Sequence, residues 1–270
     1  MPHQRPFFYK KQGFAKKPPQ TERTGGRSDA PADPVIELPG LAQGVAFKIG
    51  AELAKRLMRR DVNPKEAFTA RDEKGVYWRS SVKALDASGG EAVPYEAMPG
   101  APESRIGLTL ACAVLGRQRM LFVAQKATEL GVSRIVPLIT QFSVQPKDFA
   151  HEKAHAWPGQ IVRAAKQCRR SSLPSIETPM TLDAFLASPL AEADLKLFLD
   201  DVTGEAPPAG EPKSVLLLVG PEGGFSDAER AKLAPAARAW ALGGRVLRAE
   251  TAVLAGLTAV HMRWGDFKQA

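Results

Sequence analysis

The chain has 270 residues, 44% of them hydrophobic and 24% charged, which is ordinary globular composition with room for one large or two modest domains. Its formal net charge of +8 suits a polyanionic partner, because Lys and Arg displace counterions from phosphates, but does not by itself demand one. Two cysteines, Cys112 and Cys168, make neither a disulfide framework nor a zinc set, and no apolar run is long enough to span a membrane. The basic N-terminus has no apolar stretch of the secretory kind, so a cytoplasmic protein is expected.

Residues 1–34 hold seven Lys or Arg against three acids, with Pro18-Pro19, Gly25-Gly26 and Pro31. Their sizeable apolar side chains are Phe7, Phe8, Tyr9 and Phe14, too few to offset ordering entropy. A basic, largely mobile arm is expected through Pro34, and lying along RNA or staying solvated are equally open roles for it. Residues 35–103 are expected to form a small domain of short strands, among them Val35–Leu38, Glu66–Ala70 and Val76–Val82. Asp72-Glu73-Lys74-Gly75 reads as the hairpin turn between the last two. Ala51–Arg60 reads as a helix whose Lys55, Arg56, Arg59 and Arg60 suit a phosphate-facing surface. Pro94, Pro99-Gly100 and Pro102 break the pattern and mark a domain boundary.

Residues 104–270 change character to apolar strands alternating with helices. The expected strands are Ile106–Leu115, Ser133–Leu138, Leu195–Leu199, Val215–Val219 and Ala237–Leu242. The expected helices are Gly116–Leu130, Lys153–Arg170 with a possible break at Pro158, Ser226–Leu233 with Ser226 and Glu229 as a capping box, and Ala249–Met262. The fold class is therefore α/β, a parallel sheet covered by helices.

Three stretches carry candidate chemistry. The strand Val215–Val219 runs into Gly220-Pro221-Glu222-Gly223-Gly224-Phe225-Ser226, a turn in which glycines let backbone approach a ligand closely. Ligands of open α/β sheets bind beyond the carboxyl ends of strands, and a nucleoside-like ligand held by backbone atoms fits here. The spacing is neither the dinucleotide fingerprint nor a P-loop. A second turn, Leu242-Gly243-Gly244-Arg245-Val246-Leu247-Arg248-Ala249-Glu250, follows the next strand, and the two would meet along one sheet edge. Arg248 and Glu250 should pair with each other or face a substrate, since isolated buried charge is costly. The third stretch, Lys166-Gln167-Cys168-Arg169-Arg170-Ser171-Ser172-Leu173-Pro174, puts a base-reading amide beside cations suited to phosphate. His151 and His155 are four residues apart with no evident third ligand, so no metal is expected.

Taken in order, Gln125-Lys-Ala-Thr-Glu129-Leu-Gly131, Gln167-x-x-Arg170-x-x-x-Pro174, Gly220-Pro-Glu-Gly-Gly-Phe-Ser and Leu242-Gly-x-Arg245-x-Leu-Arg248-x-Glu250-Thr-Ala resemble the RsmE-type 16S rRNA uracil-N3 methyltransferases of the SPOUT superfamily. The resemblance spans about residues 105–270. It implies a C-terminal trefoil knot binding S-adenosylmethionine (SAM), an N-terminal PUA-like β-barrel that grips RNA, and a homodimer with its site near the subunit interface. It also implies a substrate, 16S rRNA within the small ribosomal subunit. Carried over residue by residue, the cofactor positions are Gly220, Glu222, Gly223, Gly224, Leu242, Gly243, Leu247 and Arg248. The substrate or catalytic positions are Gln167, Arg170, Arg248 and Glu250. For removal of the N3 proton, the candidates are Glu250 and a water molecule. Lys55, Arg56, Arg59, Arg60, Arg169 and Arg170 are the expected RNA contacts.

The chain departs from the family pattern at several positions. Arg163 and Lys166 stand where acids are frequent, Arg169 where glycine is frequent, and Ser172 where arginine is frequent. Phe142 stands where a Thr-x-Arg-Ser segment would place arginine. Two alternatives follow: an RNA-binding ribosome assembly factor on the same scaffold, or a SPOUT methyltransferase acting on another RNA.

Overall fold

The computed structural model describes residues 29–201, 204–206 and 209–267, so the arm expected over residues 1–34 lies largely outside the described residues. Alternating strands near the N-terminus form an antiparallel sheet of β1 (Phe47–Ile49), β2 (Ala67–Arg71), β3 (Tyr77–Asp86) and β4 (Gly89–Ala97), in the order β1-β4-β3-β2. Helix α1 (Ala51–Arg59) follows β1, and its buried Ala54 and Leu57 join Ile36, Phe68, Val82 and Ala92 in one small core. The sheet is larger than the sequence suggests. Pro94 lies inside β4, at a shift of register where Ser80 pairs with Pro94 and Arg79 with Glu96. A proline lacks the ladder donor but is accommodated at such an irregularity, so it does not break the pattern there. Val35–Leu38 makes only a single bridge, Glu37 to Arg71, instead of the expected strand.

The continuous apolar runs beyond Ile106 can be buried on both faces only in a parallel sheet under helices. They form β5 (Gly107–Ala113), β6 (Arg134–Ile139), β7 (Ser175–Ile176), β8 (Met180–Thr181), β9 (Leu195–Leu199), β10 (Ser214–Val219) and β11 (Arg238–Trp240). The order is β11-β9-β10-β5-β6-β7, with β8 also pairing β6, and every pairing is parallel. Alternate residues of β5 and β10 point to opposite faces. Leu108, Leu110, Leu217 and Val219 pack with α2 (Arg117–Glu129), α3 (Trp157–Gln167) and α6 (Ala249–Arg263). Ala111, Leu216 and Leu218 pack with α4 (Leu182–Leu186) and α5 (Asp227–Leu233). Pro158 occupies the first turn of α3, where its missing donor is harmless, so the helix starts there and is not broken. His155 sits in a separate 3₁₀ turn, Ala154–Ala156, so His151 and His155 do not share a helix face.

Residues 29–34 correct the expectation of mobility through Pro34. Ala30 exchanges backbone hydrogen bonds with Ile176, and Asp33 with Leu173, which adds an antiparallel edge to β7. The Asp33 carboxylate accepts from Arg56 Nε at 2.9 Å and Arg60 Nε at 2.6 Å. Two of the four cations assigned to phosphate thus hold the fold together; Arg60 is buried and donates on to the Ser171 carbonyl at 2.5 Å. Lys55, ion-paired with Glu52, and Arg59 remain exposed.

Candidate functional site

Strands β11, β9 and β10 are neighbours and parallel, so their carboxyl ends emerge together on one edge of the sheet. The turns leaving them meet around a cleft of about 410 Å³. Gly220, Glu222, Gly223, Gly224, Leu242, Gly243 and Leu247 all line it, so both glycine turns contribute to one cavity. Asp200 and Asp201, which follow β9, complete a wall that the sequence did not suggest. A larger cavity of about 640 Å³ opens beside α5, lined mainly by alanines, Phe198, Arg230 and Arg238, and contains none of the glycine turns. The smaller cleft is the one that backbone groups from three strand ends surround, and it is the functional candidate.

The local sequence explains why these turns hold their shape. Phe225 is buried, with its ring edge-on to Phe198 at 6.4 Å, and anchors the first turn from below. The capping box is present: Ser226 Oγ accepts from Glu229 N, and Ser226 N donates to Glu229 Oε2 at 2.9 Å. The other Glu229 oxygen accepts from Gln141 N at 2.8 Å, which ties the exit of β6 to the same turn. Gly243 and Gly244 have φ of 77° and 81°, in the left-handed region that side chains avoid. A Cβ on Gly223 would lie 3.2 Å from two ring carbons of Phe142, so that aromatic ring packs directly on the turn.

The Glu222 carboxylate of the cleft is met by an unexpected residue. Arg119, in the first turn of α2, contacts Glu222 through Nη1, and its Nε lies 3.9 Å from Glu250 Oε1. Glu250 does not pair with Arg248, contrary to one of the two expectations for them. Its side chain is 15% exposed, and Oε2 is buried with no hydrogen-bond partner. Arg248 occupies the N-cap position of α6 without a side-chain cap bond, is exposed, and, unlike the other expected cofactor residues, does not line the cleft. Nothing in the motif spacing singled out Arg119; the available signal was that it opens the helix after β5, on the same carboxyl edge. Cys112, within β5, is fully buried, and burial, with a smaller contribution from Glu222, pushes its thiol up to about 12.

The third stretch lies elsewhere. Arg170 precedes β7, whose first residue Ser175 pairs with Arg134 at the start of β6, so it sits at the amino end of the sheet. The cleft is at the carboxyl end, roughly 20 Å away for a strand of this length. Arg170 is buried, donating to the carbonyls of Thr128 at 3.1 Å and Val132 at 2.7 Å and pairing with Glu103 at 2.9 Å. It therefore cannot reach the cleft of its own chain, and in this chain its guanidinium is committed to Thr128, Val132 and Glu103. Exposed Gln167 ends α3 on the same side and is likewise removed from the cleft. Arg169 has φ of 64°, gives its carbonyl to Thr69 Oγ1 at 2.7 Å, and extends toward Glu96 at 3.5 Å. Ser171 bonds Thr69 O and Ile36 N, and Lys166 pairs with Glu66. The stretch is a seam between the antiparallel and parallel sheets.

A family model of the RNA methyltransferase domain matches residues 102–261. The ribosomal RNA small subunit methyltransferase E of Buchnera aphidicola subsp. Schizaphis graminum is 32% identical over 169 residues, which cover 61% of this chain and 68% of the relative. The chain belongs to this RNA methyltransferase family. The Synechocystis member is 28% identical over 73% of this chain and 66% of its own length. Among solved structures, a Legionella pneumophila methyltransferase in complex with SAM superposes with a TM-score of 0.62 and 30% identity, covering 86% of this chain and 98% of that one. The Neisseria gonorrhoeae small subunit methyltransferase E, bound to S-adenosyl methionine, gives 0.62 and 27% over the same shares. The matched residues of the methyltransferase domain run from just before β5 to the last turns of α6, and so include both glycine turns. Among the described residues, no helix is long and apolar enough to cross a membrane.

Proposed function

We propose that this methyltransferase binds SAM in the cleft between the two glycine turns and transfers its methyl group to N3 of a uridine in 16S rRNA of the small ribosomal subunit. The observation that carries the reading is the convergence of Gly220–Gly224 and Leu242–Leu247 on one cleft at the carboxyl edge of the sheet. The residues present fit such a ligand. The volume suits a nucleoside-sized molecule, and the lining combines the glycine turns with Leu242, Leu247 and the charged residues Asp200, Asp201, Glu222, Arg230 and Arg245, of which Asp200 pairs with Arg230 and Glu222 with Arg119. When bound, SAM supplies a methyl group on a positively charged sulfur.

The chain must align the base behind that methyl and remove the N3 proton. Glu250 is the proposed base, because its Oε2 is an acceptor without a donor in the first turn of the helix that follows the second glycine turn. Oε2 would take the N3 proton, which would leave the N3 electron pair free for the methyl group that bound SAM would supply. Exposed Arg248, at the start of the same helix, stabilises negative charge that develops on the uracil oxygens. The target base leaves its stack to reach this edge.

The same proposal includes a knotted C-terminal segment, a homodimer, and an RNA-gripping role for the antiparallel sheet as a domain over residues 35–103. Full-length protein, labelled SAM and small subunits from a deletion strain test it. N3-methyluridine should appear in the small-subunit RNA by nucleoside mass spectrometry. Label at another position, or RNA binding without transfer, would reject it in favour of another RNA target or an assembly factor.

A further inference from the structure

Arg119 has no assigned role, yet it is the cation that joins the two candidate turns. Its Nη1 contacts Glu222, in the turn after β10, and its Nε lies 3.9 Å from Glu250 Oε1, in the first turn of α6. Among the described residues, no other ion pair involves either carboxylate. Arg119 and Glu222 are 45% and 40% exposed, and so open a pair contributes little to folding. Glu250 is different: it is 15% exposed, with one oxygen facing the guanidinium and the other buried without a partner. A buried acceptor left unmatched is costly and is supplied with a donor when a ligand arrives. One planar guanidinium with donors on two edges is suited to fixing two carboxylates relative to each other, and a flexible ammonium is less so.

We propose that Arg119 is a positioning residue for methyl transfer. It ties the cofactor turn to the helix carrying the proposed base, so that Glu250 holds Oε2 toward the N–H of the incoming base once the cleft is filled. The inference rests on the reading above, with Glu250 as the acceptor of the N3 proton. Arg119 exchanges no proton and touches no reacting atom; it acts through Glu222 and Glu250.

The test is a mutant cycle on the full-length chain, with transfer into small subunits, KM for SAM and thermal unfolding measured for each variant. Arg119→Ala should lower kcat by about tenfold or more, with a smaller change in KM and an unfolding temperature close to wild type. Arg119→Lys should recover part of the loss. Arg119→Ala combined with Glu250→Gln should be little worse than Glu250→Gln alone, because both changes remove one linked function. Losses that multiply independently, or an Arg119→Ala enzyme with unchanged kcat, overturn the inference while leaving the methyltransferase reading intact. A wild-type chain that transfers no methyl group overturns both.

Discussion

At Gly223 the first glycine turn and the departure at Phe142 meet. An added Cβ would press on the Phe142 ring at 3.2 Å, closer than ordinary contact, so ring or turn must move by a few tenths of an ångström. Gly223→Ala should cost about 1 kcal/mol, the scale of overpacking, in denaturant unfolding. The same change in a Phe142→Ala background should cost far less, and equal costs in both would refute the packing account. Arg169 gives the opposite sign. Its φ of 64° is costly for a side chain, and its contact with Glu96 is long and exposed. Arg169→Gly should therefore stabilise by about 0.5–1 kcal/mol, after the extra unfolded-state freedom of glycine is subtracted, whereas Arg169→Ala should gain nothing. A destabilised glycine variant would show that the arginine side chain holds the seam. The frequent glycine of the family pattern at this position has a backbone reason that residue types alone do not reveal.

At the scale of elements, periodicity located what local chemistry determines. The apolar runs at Leu195–Leu199 and Ser214–Val219 are strands, and the capping box at Ser226 starts α5. It failed where long-range pairing decides. β4 contains a proline and two glycines, and only its partners β1 and β3 make it a strand. The segment before Ile36 looks too polar to order, yet Asp33 is caught between Arg56 and Arg60, which face inward instead of toward phosphate. Burial pushes the Asp33 carboxyl up, but hydrogen bonds and charge from Arg60, then Arg56, outweigh it and hold the carboxyl below its ordinary value of 3.8. The stabilisation is then complete above that value and is lost as pH falls through the lower, folded-state value. Asp33→Asn should cost about 2–3 kcal/mol near neutral pH, somewhat less than a fully buried pair because the carboxylate keeps some solvent contact. Urea unfolding across pH should show the difference between wild type and variant closing below about pH 4. A gap that persists unchanged into acid would mean that shape, not charge, holds residues 29–34.

At the scale of the whole molecule, the two ends of the sheet are built differently. The carboxyl end gathers Gly220–Gly224, Leu242–Leu247, Arg119 and Glu250, while the amino end holds Arg170, Glu103 and Ser171 in a buried seam with the antiparallel sheet. The glycine turns were legible because backbone approach has a residue-type signature. The distance between Gln167–Arg170 and the cleft was not, because it depends on strand direction and order. Arg119 was invisible for the same reason: its partners are about 100 residues or more away in sequence. The central claim is that the two turns enclose the methyl donor, and calorimetric titration of the full-length chain with SAM tests it most directly. The wild type should bind saturably, Gly224→Val and Gly243→Val should each weaken binding by about tenfold, roughly 1.4 kcal/mol, and Gln167→Ala should bind as the wild type does. No saturable heat from the wild type, or unchanged affinity in both turn variants, would contradict it.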